Sequence, residues 1–200
     1  MIIERLRQRI RTIMALSETS GIARRYFALN AFDGALIGLG AIFGFYVSEM
    51  HEYRVVSLTI LAIALGSAIS GFSGAYISEK LEQEARLKRL EEAILTDLKN
   101  SIHYSASLTS TIIVSLVNGL SSLMAILAVS SPYVLSSYVS SSEVVGIIGS
   151  MLTFLALLGL LGYFFGRELR INTLSVVSRV LLVGVIAVVI YLLFEMAIRL

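Results

Sequence analysis

Apolar residues in this chain come in long blocks separated by short polar segments, and no stretch keeps a two-residue alternation. A helix needs about 20 mostly apolar residues to cross the ~30 Å hydrocarbon core of a bilayer. Five blocks reach that length: Tyr26 to Ser48, Val55 to Ser78, Ala106 to Ser130, Val144 to Gly166 and Leu174 to Phe194. Without alternation they suit helices rather than the strands of a barrel. The pattern predicts an all-α, polytopic membrane protein with five transmembrane helices. It divides the chain into a segment over 1–25, helices 1 and 2 over 26–78, a charged cytoplasmic helical insert over 79–105, and helices 3 to 5 over 106–200.

Composition agrees and narrows the function. Hydrophobic residues make up 56% of the chain and charged residues 15%, against about 25% charge in an average soluble domain. Mean hydropathy is +0.85, too apolar for a soluble fold of this size. The absence of cysteine excludes a disulfide scaffold, a thiolate metal site and a cysteine nucleophile. A net charge of +2 is too balanced for a nucleic-acid partner. No Walker loop, dinucleotide fingerprint, HExxH pair or nucleophile elbow occurs. The expectation is a protein that is not an enzyme and holds no permanent cofactor.

The few charges set an orientation. Arg5, Arg7, Arg9, Arg11, Arg24 and Arg25 precede the first span. Lys80, Arg86, Lys88, Arg89 and Lys99 lie between spans two and three, and Arg167 and Arg170 between four and five. Only Arg54 and Arg199 fall on the other side. By the positive-inside rule the N-terminus is cytoplasmic and the C-terminus outside, in a prokaryotic cell membrane or an organellar one. Within the first 25 residues Ile3, Leu6, Ile10, Ile13 and Met14 recur at helical spacing among arginines, which suits a helix on the cytoplasmic membrane surface.

Asp33 is the one acid well inside an apolar span. Intramembrane carboxylates cost free energy unless paired, hydrated or protonated, and mark ion or proton paths. Gly34 with Gly38, Gly40 with Gly44, and Gly66, Ser70 and Gly74 keep a spacing of four that permits close helix packing. Span two continues without glycine or proline from Ala75 to Asn100, so one helix should project from the membrane with Glu82/Arg86, Glu84/Lys88 and Lys88/Glu92 as i,i+4 pairs. Its apolar stripe is Leu87, Leu90, Ile94 and Leu98. Glu79 with Glu82, or Glu91 and Glu92 with Asp97 and His103, offer hard donors for a divalent cation. Ser70, Ser73 and Asn118 are candidate lining of an ion path, and helix–helix hydrogen bonding accounts for them equally well. Glu49, His51 and Glu52 form a hydrated turn between the first two spans, and Pro132 is expected to end the third.

The run Arg25-Tyr26-Phe27-Ala28-Leu29-Asn30-Ala31-Phe32-Asp33-Gly34 resembles the first-span motif of vacuolar iron transporters, in which an arginine precedes an Asn-Asp-Gly core. Ser70-Gly71-Phe72-Ser73-Gly74-Ala75-Tyr76-Ile77-Ser78-Glu79 is similar to the end of that family's second span. The stretch from Arg179 through Gly184 to Tyr191 is similar to its last span. The resemblance implies a homodimer in the lipid bilayer that exchanges iron(II) or manganese(II) for protons, with Asp33 on the ion path. Phe32, Gly71 and Ala75 stand where the family has asparagine, methionine and glutamate, and Glu79 lies one turn beyond Ala75. A non-transporting scaffold or metal sensor that keeps the fold is the second reading, and those three positions favour it.

Overall fold

The computed structural model describes residues 19–50, 52–95, 101–139 and 143–199. Among these every regular element is a helix: α1 Thr19–Val47, α2 Tyr53–Ile94, α3 Ile102–Tyr138, α4 Glu143–Glu168 and α5 Thr173–Arg199. All five are long and apolar enough to cross a membrane. Large apolar side chains point outward on every one, among them Leu58, Ile69, Met124, Leu152, Leu182 and Met196. In water such a surface would drive aggregation; around a bilayer span it meets lipid tails.

Sequence-local chemistry fixes the helix ends. Ser101 accepts from the Tyr104 N–H at 3.2 Å and starts α3, while Asn172 accepts from the Ser175 N–H at 3.5 Å and starts α5. Glu49 (φ 51°), Leu95 (φ 54°) and Arg170 (φ 53°) take the left-handed conformation just past α1, α2 and α4. Met50 donates to the Phe45 carbonyl and Ile171 to that of Gly166, the six-to-one bonds that close a helix C-terminus.

Three boundaries differ from the sequence-based expectation. Residues 19–25, assigned to the N-terminal segment, form the first turns of α1 and run straight into span one; the rest of the expected surface helix lies outside the described residues. The projecting helix stops at Ile94, with Leu95 turning the chain, so Asp97 and Leu98 also fall outside them. Pro132 does not end span three. It sits inside α3, six residues before Tyr138. A proline there strips the Ala128 carbonyl of its helical donor, but the Ser131 hydroxyl donates to that same oxygen at 2.8 Å. On the neighbouring helix Gly149 leaves room for the ring, since a Cβ there would stand 2.9 Å from the Pro132 Cβ.

The 42 residues of α2 make it about 63 Å long at 1.5 Å per residue, roughly twice the hydrocarbon thickness. Its charged end carries the expected Glu82–Arg86 pair at 3.4 Å. Glu84, expected to face Lys88, is paired with Lys80 at 4.0 Å. Leu90 and Ile94 of the apolar stripe are exposed.

The chain divides into two compact units, Met1–Asn30 with Ala68–Ser121, and Ala31–Ser67 with Ser122–Leu200. The second has a conventional apolar core built on Leu39, Ile42, Phe43, Ile60, Ile126, Phe154 and Leu158. Gly34 and Gly38 bring α1 against the backbone of Ser122 and Ile126 on α3, as the small-residue spacing predicts. Gly162 and Gly166 do the same for α4 against Val177 and Thr173 of α5. Tyr191 of α5 stacks on Phe43 with ring centroids 5.4 Å apart and donates to the Leu36 carbonyl at 3.3 Å. Gly66 and Gly74 behave differently: nothing lies within 4 Å of a Cβ at either.

Candidate functional site

The first unit is built unlike the second. Among the described residues its buried apolar side chains are Ala23, Ala28, Ala75, Ala106 and Val114, none of them large. Its buried polar side chains include Thr19, Glu79, Gln83, Ser110, Thr111 and Asn118. Helical periodicity produces this lining. On α2, Gly71, Ala75, Glu79 and Gln83 recur every four residues and face inward. On α3, Ser107, Thr111, Ser115 and Asn118 keep spacings of four, four and three on the buried side.

Two levels of this interior carry the polar contacts. At one, Asn30 of α1 donates its amide N–H to the Asn118 side-chain oxygen. Asn118 in turn donates to the Gly71 backbone carbonyl at 2.8 Å, so one side chain ties the three helix segments together. Gly119 lets α2 come close beside it, because a Cβ there would stand 2.5 Å from the Ala68 carbonyl oxygen. At the other, Thr19 donates to the Ser110 hydroxyl at 2.8 Å. Eight residues of helical rise, about 12 Å, separate Gly71 from Glu79 on α2 and Ser110 from Asn118 on α3. Several hydroxyls in between bond their own helix: Thr111 donates to Ser107 O at 3.1 Å and Ser115 to Thr111 O at 2.6 Å.

Glu79 and Gln83 stand out within that lining. Glu79 is 5% exposed and Gln83 6%. Among the described residues, one carboxylate oxygen of Glu79, Oε2, and the amide nitrogen of Gln83 have no hydrogen-bond partner. Buried polar groups in native proteins are nearly all satisfied, and a buried carboxylate is the most costly to leave unpaired. Chemically, such an oxygen can serve as a ligand for a cation.

The other carboxylates and path residues are placed apart. Glu82, three residues from Glu79, turns outward to Arg86. Glu92 is exposed and Glu91 half-buried. Among the described residues no three of His, Asp and Glu come together as a metal-holding group; His51 and the His103 side chain lie outside them. Asp33 is exposed midway along α1, on the face that carries Leu29 and Ile37. Ser70 and Ser73 are exposed too, whereas Asn118 is buried at the centre of the polar network. Sequence reasoning missed Gln83, Thr19, Ser110 and the pairing of Asn30. The spacing of four from Gly71 to Gln83 was the available signal.

Asn118 supplies a stability test. Replacing it with leucine, which keeps the branch at Cγ, removes its bonds to Asn30 and Gly71. Hydrogen bonds between membrane helices contribute about 0.6 kcal/mol on average and up to ~1.7. Asn118→Leu is therefore expected to cost about 1–2 kcal/mol in chemical unfolding of detergent-solubilised protein. An unchanged midpoint would show that the network does not hold these segments together.

The fold and its outward apolar surface define an integral membrane protein of five transmembrane helices. The chain is 28% identical over 154 residues to an uncharacterized protein of Methanocaldococcus jannaschii, covering 75% of this chain and 76% of that protein. No known protein family matches the chain. No solved structure matches it.

Proposed function

We propose that the protein moves a divalent cation, iron(II) or manganese(II), across the membrane in exchange for protons, with Glu79 as the carboxylate that receives it. The observation that carries this reading is the buried, half-unpartnered Glu79 carboxylate in an interior otherwise lined by hydroxyls, amides and alanine. A buried carboxylate without a partner is costly, and a bound cation would offset that cost. Cations and protons are the two species an exchanger alternates. Gln83, one turn on, adds an amide oxygen as a second hard donor. Transport, not catalysis, is the activity this lining serves.

The resemblance to vacuolar iron transporters in spans one and two supports the same reading. So does the charge distribution, which puts the Glu79 end of α2 on the cytoplasmic side. Asp33 fits as part of a homodimer. A carboxylate exposed between Leu29 and Ile37 would otherwise face lipid, where it is strongly disfavoured. A partner protomer against this face, and against the open small-residue positions Gly66 and Gly74, would cover it.

Calorimetric titration of the purified protein with manganese(II) at near-neutral pH tests the binding half of the proposal. Binding is expected, and Glu79→Gln should abolish it. Wild-type protein that binds neither manganese(II) nor iron(II) would favour the scaffold reading.

A further inference from the structure

The second unit holds a feature that the transport reading does not use. Three hydroxyls are buried in it with no hydrogen-bond partner among the described residues: Ser130 Oγ, Tyr133 Oη and Ser150 Oγ. Tyr133 and Ser150 are wholly buried and Ser130 is 1% exposed. Their neighbours do not share this behaviour. Ser131, Ser136, Ser137 and Thr153 all donate to carbonyls of their own helices at 2.8 to 3.0 Å. That is the ordinary outcome for a hydroxyl in a membrane helix. Ser130 and Ser150 are turned away from it.

The three lie on faces of α3 and α4 that pack against each other. Ser130 and Tyr133 lie three apart on α3 and so share a face. Gly146 of α4 rests on Tyr133, where a Cβ would stand 3.1 Å from the Tyr133 Cα, and Ser150 follows one turn later on the same buried side. Gly38 of α1 approaches from the third direction, 3.4 Å from Ser130 Oγ to a Cβ built there. A helical tyrosine leans toward the N-terminus of its own helix, which carries the Tyr133 hydroxyl back toward the level of Ser130 and Ser150. Glu143, at the start of α4, and Tyr46, near the end of α1, lie within electrostatic range of that hydroxyl.

We propose that the Ser130, Tyr133 and Ser150 hydroxyls bind a small cluster of internal water molecules between α1, α3 and α4. Water fits the chemistry of the donors. Each hydroxyl both donates and accepts, and a buried water takes two to four such partners. The cluster gives the second unit a hydrated pocket amid its apolar core. It does not depend on cation transport through the first unit.

Radiolytic footprinting of the full chain in detergent reads this directly, because water bound beside a side chain generates hydroxyl radicals in place. Phe154 and Phe43 are as deeply buried within the core of the same unit and carry no hydroxyl, and they serve as controls. Tyr133 is expected to be oxidised about tenfold faster than Phe154, as bound water requires. In the double variant Ser130→Ala with Ser150→Ala that excess should fall toward the control rate. A Tyr133 rate equal to that of Phe154 in the wild-type protein would overturn the proposal. An unchanged excess in a folded double variant would remove the two serines from it.

Discussion

Gly34→Ala is expected to destabilise the protein by roughly 1–3 kcal/mol, whereas Gly44→Ala on the same helix is expected to be neutral or mildly stabilising. A methyl group at Gly34 would stand 2.5 Å from the Ser122 carbonyl oxygen and 2.9 Å from its Cα. Both atoms are backbone, so no rotamer change relieves the overlap and α1 must move away from α3. Nor does α3 yield easily instead, since its Ser122 hydroxyl is held 2.5 Å from that of Ser67 on α2. At Gly44 nothing lies within 4 Å, and alanine brings only its better helix propensity, about 0.5–1 kcal/mol. Unfolding of the two variants in detergent, side by side, checks the pair. Equal tolerance at both positions would show that α1 and α3 are not in close backbone contact.

The second large effect concerns Glu79. Glu79→Gln keeps the side chain's size and removes the charge that would hold a divalent cation. Cation flux is expected to fall at least about tenfold, and ~100-fold if Glu79 is the sole charged ligand. Glu82→Gln provides the contrast, since it loses only an exposed i,i+4 pair with Arg86. Such pairs are worth no more than about 0.5 kcal/mol, so flux should be close to wild type. Asp33→Asn separates two roles. If Asp33 lies against a partner protomer, the variant alters the oligomeric state or the flux, and a variant unchanged in both would remove Asp33 from the account. Equal loss of flux in the Glu79 and Glu82 variants would replace a buried site with a surface charge effect.

Much of this architecture is legible in the residues because span length is imposed by the bilayer. Five apolar runs of about 20 residues leave few alternatives, and all five are helices long enough to span. What faces what is less legible. In a soluble helix the apolar stripe marks the interior, but lipid-facing and core-facing positions of a membrane helix are both apolar, so Asp33 and Ser70 gave no sign of their exposure. Glycine spacing was ambiguous for the same reason: Gly34 is pressed against a neighbour while Gly66 is open.

Pro132 and Leu95 show local chemistry overriding composition. The proline is absorbed because Ser131 satisfies the carbonyl it strands and Gly149 makes room for its ring. The long helix ends at a leucine in the left-handed conformation, where no glycine marks the stop. Glu79 was readable as a candidate ligand from its residue type. Its separation from Glu82 and Glu92 required helical phase: neither falls on the four-residue series through Gly71, Ala75, Glu79 and Gln83, whereas Glu91 lies three steps beyond Glu79 on that series and is half-buried.

The most direct measurement is manganese(II) entry into liposomes containing the wild-type protein, with a pH-sensitive dye on one side of the membrane. The account predicts manganese accumulation above protein-free liposomes, coupled to proton movement in the opposite direction and abolished by Glu79→Gln. Manganese entry no faster than in protein-free liposomes, in protein shown to be folded and inserted, would contradict it.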